Sequence, residues 1–181
     1  MDDVNIPGEY SVMAWGEVYE YNTPDMNYVD VNNPTPLSPY TSWATAANDI
    51  GSAVKKASSY DTVLIADGIY NTASQINVTK RLEIRSVNGP EAVTVDAGGN
   101  HRVFNLVSDN GSILLEGCAV TGGYTSGSGG GIATRGSNEI HIANCIIEGN
   151  EAEGAGGGIS CRDTNAVITR CIIRNNTGKS A

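Results

Sequence analysis

Two arginines, Arg135 and Arg162, stand 27 residues apart, and each comes three places after a Gly-Gly-Gly-Ile string. If that spacing is a structural period, the two guanidinium groups are neighbours about 4.8 Å apart, the distance between adjacent strands. Like charges that close repel unless a carboxylate or a ligand lies between them. Glu139 and Asp163 are near enough in sequence to serve as the carboxylate, which would make the pair structural. A sugar acid is the ligand that would serve instead.

The acidic residues suggest a second chemistry. Glu148, Glu151, Glu153 and Asp163 could supply oxygens to a calcium ion, which takes about six to eight of them. No Asp-x-Asp-x-Asp run accompanies them, and no other cofactor is expected. His101 and His141 each stand alone, which suits a structural role better than a ligand or a base.

The elements that position these residues follow from the repeat. Gly131 to Gly158 and Ile132 to Ile159 are 27 positions, Cys118, Cys145 and Cys171 step by 27 and 26, and Asn150 to Asn176 is 26. Glycine supplies 22 of 181 residues, about double average usage, while Phe occurs once, so strands and tight corners are expected rather than helix bundles. A period in the twenties with glycine corners indicates a solenoid. One repeat holds three short apolar pieces, Ile140 with Ile142, Cys145 with Ile147, and Ile159 with Cys161. Three strands per turn make an all-β, three-sheet parallel β-helix.

Alternation within those pieces predicts Ile140, Ile142, Cys145, Ile147, Ile159, Val167, Cys171 and Ile173 inward, with Ile146 and Ile172 outward as an exposed apolar pair. Only Ala143 and Asn144 separate two strands, so the chain bends sharply there, at a residue that tolerates the left-handed conformation. Asn150 and Asn176 are expected at structural turns. Cys118, Cys145 and Cys171 should stack as a core ladder. Their parallel side chains leave the Cβ atoms about 4.8 Å apart, beyond the ~3.8 Å mean for a disulfide, so buried free thiols are expected. Residues 148 to 158 form a longer acidic loop.

Residues 61–70, 82–106 and 113–123 read as earlier coils, giving about four in a column on the order of 20 Å tall. Residues 41–60 carry Trp43, Ala47, Ile50, Val54 and Ala57 at helical spacing, the stripe of an amphipathic helix that caps the open bottom rung. Residues 1–40 are an extension and a Pro- and Asn-rich linker, and 61–181 are the coils. The last coil stops where another Gly-Gly-Gly-Ile strand would follow. A C-terminal truncation is therefore expected, with an open edge through which copies could self-associate.

The strings "YVDVNNPTPLSPYTSWATAANDIGSAVKKASSYDTVLIADGIY" and "RLEIRSVNGPEAVTVDAGG", followed by repeated GGGI and NC-x-I-x-x-N, carry a family resemblance. Over residues 28 to 178 the chain resembles bacterial right-handed parallel β-helix proteins of the pectin-lyase-like superfamily, closest to secreted surface proteins with a choice-of-anchor sorting tail. The GGGI and Asn pattern is also similar to that of polymorphic outer-membrane proteins. The resemblance implies a right-handed column, an extracellular or cell-surface location, and a polysaccharide or cell-surface glycan as partner. It does not imply an activity, because the superfamily mixes lyases, hydrolases and adhesins. The Asn-Thr-Asp, His-Gly and Arg-Ile-Lys strings of its glycoside hydrolases occur nowhere, and paired Asp occurs only at Asp2-Asp3, ahead of the coils.

Net charge −9 and a pI near 4.5 exclude nucleic acid and anionic membrane as partners and disfavour polyanions in general. No stretch of 18 apolar residues is present, so direct membrane insertion is not expected, and the opening "MDDVNIPGEYSV" is not a signal peptide. The leading expectation is a non-catalytic surface module, a fragment of a longer protein, that displays loops or binds glycans. The alternatives are a polysaccharide lyase or glycoside hydrolase whose catalytic coils lie outside this chain, and a purely structural stalk.

Overall fold

The computed structural model describes residues 10–12, 18–20 and 24–179. Two short strands, β1 (Tyr10–Val12) and β2 (Val18–Glu20), pair antiparallel with each other. They pair with no other described strand. The described strands after them form a parallel β-solenoid of about four turns.

The solenoid begins with β3 (Met26–Val29), which lies under β4 (Thr62–Ile65) in the first sheet. Between them comes α1 (Ile50–Lys56), capped by Asp49, whose carboxylate accepts from the Ser52 N–H at 2.8 Å. Ile50, Ala53 and Val54 are buried in the same cluster as the lowest strands. Helix and β3 together close the bottom rung, where apolar interior and strand edge would otherwise meet water. The helix is only seven residues long, and Trp43 is not part of its stripe. Trp43 opens a separate 3-10 turn and is 43% exposed. The chain turns at Ala46 to Asp49, so the spacing that suggested one long helix straddles two elements.

The first coil is β4, β5 (Gly68–Asn71) and β6 (Ile76–Val78), and the second is β7 (Leu82–Ser86), β8 (Val93–Asp96) and β9 (Phe104–Val107). The third is β10 (Ile113–Glu116), β11 (Ala119–Thr121), a two-residue β12 (Tyr124–Thr125) and the front of β13 (Ile132–Ala143). The back of β13, β14 (Ile146–Glu148), β15 (Glu151–Ala152) and the front of β16 (Ile159–Thr169) make the fourth, and the back of β16, β17 (Ile172–Arg174) and β18 (Thr177–Gly178) lie above it. The stretch expected as a free acidic loop therefore carries its own short ladder, β12-β15-β18, and its Ala152 is fully buried.

Like residues stack from rung to rung. Val63, Ile84, Leu115, Ile142 and Ile168 form one inward column of the first sheet, and Tyr70, Val95, Val120, Ile147 and Ile173 form that of the second. Ile76, Phe104, Ile132 and Ile159 do the same in the third. Val167 corrects the expected pattern, because it pairs with His141 while Ala166 and Ile168 take the places of Ile140 and Ile142. The cause is a pair of register shifts between Thr134 and Glu139, which turn a 27-residue offset into 26. A one-residue offset flips a strand's faces. Ile146 is a second correction: it lies in the outward column but is only 6% exposed, set between Ala119 and Ile172. Ile172, with no described strand beyond it, is 50% exposed.

The corners explain why glycine and asparagine recur together. Asn150 is 1% exposed; its amide donates to Val120 O at 2.9 Å and its Oδ1 accepts from the Gly123 N–H at 2.9 Å. One rung up, Asn176 Oδ1 accepts from the Asn150 N–H at 3.0 Å, and its Nδ2 donates to Ile147 O at 2.8 Å. The glycines of the next strand press against these amides: a Cβ on Gly131 would lie 3.0 Å from the Asn150 side chain, and one on Gly158 would lie 2.8 Å from that of Asn176. Two places earlier, Gly129 and Gly156 hold φ of 77° and 66°, a region that side chains disfavour. The repeated GGG and Asn are thus two halves of one corner.

Candidate functional site

The outward side of the third sheet is where the two periodic arginines meet. Asn77, Asn105, Ala133 and Ser160 form one outward column, in which Asn105 Nδ2 donates to Asn77 Oδ1 at 3.0 Å. Arg135 and Arg162 stand two residues further along the two upper strands. Ala133 and Ser160 are small, so a groove of about 480 Å³ remains over them, and both arginines line it.

The far wall is the turn at Gly127 and Ser128, held by a residue that the repeat does not reveal. Arg102 donates from Nε to Gly129 O at 2.7 Å, from Nη2 to Ser128 O at 2.9 Å and from Nη1 to Gln75 Oε1 at 2.8 Å. Burial lowers its pKa from the ordinary arginine value, and its donors are used on the turn. Arg102 lies 33 residues before Arg135, off the period, so spacing alone could not have marked it.

Arg135 and Arg162 are both exposed, and among the described residues neither forms an ion pair or a side-chain hydrogen bond. Among the described residues, neither carboxylate expected for them forms an ion pair. Glu139 lines a different cleft with Tyr60, Arg81 and His141, and Asp163 occupies the corner at φ 46° without an ion pair. No Asp or Glu lines the groove, although the chain carries 20 of them against 11 Lys and Arg. Two cations without an ion-pair partner among the described residues thus stand beside Asn105 and Ser160, an arrangement chemically able to contact a carboxylate.

The four acids considered for calcium are not brought together. Glu148 pairs with Arg174 at 2.6 Å, which raises the arginine's pKa, while Glu153 accepts from Tyr124 Oη at 3.0 Å and lies 4.0 Å from Lys179 Nζ. Glu151 is exposed on β15, and Asp163 is exposed within β16. Among the described residues no three His, Cys, Asp or Glu side chains converge on a metal position.

The sulfur column is laid out rung by rung, and all four cysteines are free. Cys145 Sγ donates to Ala143 O at 3.2 Å and Cys171 Sγ to Thr169 O at 3.3 Å, each two residues back. Burial pushes the Cys118 thiol up to about 12. Cys145 is raised by its neighbour Cys171 and by burial, whereas the partly exposed Cys171 is lowered by Cys145. Cys161, in register with the buried Thr134, is exposed. His101 links the corner segments of two successive coils, with Nε2 3.0 Å from Thr72 O and Nδ1 3.0 Å from Arg102 O.

Compared with models of protein families, with curated proteins and with solved structures, the chain gives no match.

Proposed function

We propose that this chain is a non-catalytic glycan-binding module of the right-handed, pectin-lyase-like kind, working outside the cell or at its surface. The ligand of the groove is a carboxylate-bearing sugar within a polysaccharide. The observation that carries this reading is the pair Arg135 and Arg162, adjacent on one outward face with no carboxylate partner in an acidic protein. Guanidinium groups grip carboxylates in a two-point contact, and Asn105 and Ser160 in the same groove offer hydrogen bonds to ring hydroxyls.

The net charge of −9 opposes a long polyanion, but that repulsion is screened over about 8 Å at physiological ionic strength while the arginines act in contact. A glycan with sparse acidic residues therefore suits the site better than a fully charged polymer. Among the described residues no His, Asp, Glu, Lys or Tyr lines the groove, and its Asn, Ser and Arg side chains are suited to holding a ligand.

The test is titration calorimetry with short oligouronides and their reduced, neutral counterparts, alongside an assay for unsaturated products. Binding of the acidic form alone, abolished in the Arg135→Ala/Arg162→Ala double variant and without product, agrees. Unsaturated product would instead make the chain a lyase.

A further inference from the structure

A second surface feature has no role in the groove. Trp43, expected on the stripe of the capping helix, lies exposed near the bottom of the column, its ring centroid 4.6 Å from that of Tyr28 with the two planes inclined at 61°. It lines a shallow depression of about 510 Å³ whose floor also includes Ala66 and Val87, the latter 48% exposed. The rim is polar: Asp30, Asn32, Asp67 and Asn88. Asn88 Nδ2 holds both oxygens of Asp67 at 3.0 Å, and Asp30 Oδ1 accepts the Asn32 N–H at 2.9 Å, so the two carboxylates are fixed in place. Neither has a cationic partner among the described residues.

An apolar floor with one aromatic face and a few fixed polar groups around it is the composition of a small-molecule site. The electron-rich indole face attracts polarised C–H groups, and carboxylates are pure acceptors for hydroxyl donors. A pyranose presents both surfaces, C–H groups on a ring face and hydroxyls at its edge. The two aspartates repel an acidic sugar, so the ligand here differs in charge from that of the arginine groove. We propose that this depression binds a neutral pyranoside, with Trp43 and Val87 under the ring and Asp30, Asp67 and Asn88 receiving its hydroxyls.

The experiment is a titration of the 181-residue protein with cellohexaose, xylohexaose and mannohexaose, following the indole N–H resonances, of which the chain has two. At least one oligosaccharide should shift the Trp43 signal saturably. Trp43→Ala and Asp67→Ala should each weaken that binding by at least about tenfold, while Arg135→Ala/Arg162→Ala leaves it unchanged. Trp43→Phe, which keeps an aromatic ring against Tyr28, should retain part of the affinity and an unaltered thermal midpoint. If none of the three sugars moves the Trp43 signal, or if binding survives in both Trp43→Ala and Asp67→Ala, the proposal is overturned. The oligouronide result is independent of this one, because it is read with different ligands and different variants.

Discussion

At the residue scale, the corner amides carry more than their size suggests. Replacing Asn150 by Ala removes the partners of the Gly123 N–H and of Val120 O inside a closed corner. Each buried polar group left unpaired costs about 1–3 kcal/mol, so chemical denaturation of Asn150→Ala should show a loss within or above that range, whereas Asn110→Ala, on an exposed loop, should show almost none. The thiols give a second expectation. Cys161 and Cys171 should react with a thiol reagent in the native protein, and Cys118 and Cys145 only after unfolding, in contrast to the uniformly hidden set that the sequence suggests. Four equally slow thiols would contradict the open position of Cys161.

Protonation acts at the same scale. Burial pushes Tyr70, whose hydroxyl donates to Ala66 O at 2.8 Å, up to about 12, as it does the Cys118 thiol. Both folded values lie above the ordinary ones, so this stabilisation is complete at pH values below the ordinary thiol and phenol range. It is lost as pH rises toward about 12. Thermal midpoints should fall over that alkaline window, and Tyr70→Phe should flatten the fall.

At the scale of elements, the coils were legible because each strand repeats a column of like residues, and a period is visible without knowing what it packs against. What the period could not show is a change of offset inside a corner. The sequence places Val167 inward, whereas the shifts between Thr134 and Glu139 put Ala166 and Ile168 over Ile140 and Ile142 and turn Val167 outward, over His141. Trp43 misled for a related reason, since helical spacing does not reveal that a 3-10 turn and a separate helix share the stripe. Arg135 and Arg162 were found by their period, whereas Arg102 and the turn it holds were not, because a side chain that reaches across rungs leaves no regular spacing. The helix makes its own prediction: Asp49→Ala should cost about 1 kcal/mol through the lost cap, and Ile50→Ala about 2–5 kcal/mol by opening the bottom of the core, both read as shifts in denaturation midpoint.

At the scale of the whole molecule, the two ends of the column differ. The bottom is closed by β3 and α1, while among the described residues the uppermost strands pair on one side only and leave Ile168, Ile172 and Ile173 at 41%, 50% and 49% exposure. We propose that the 181-residue chain associates through this end, and sedimentation should show mass rising with concentration. A dilute monomer with strong amide protection across 165–175 would mean that the end is stable unpaired.

The side of the column carries the claim on which the functional reading rests, that Arg135 and Arg162 receive an acidic sugar. Adding a short oligouronide to isotope-labelled protein and mapping the shifted amides tests it most directly. The shifts should be confined to Asn105, Gly127, Ser128, Ala133, Arg135, Ser160 and Arg162, with the sugar recovered intact. Shifts centred on another face, or none while Arg135 and Arg162 remain free in solution, would contradict it.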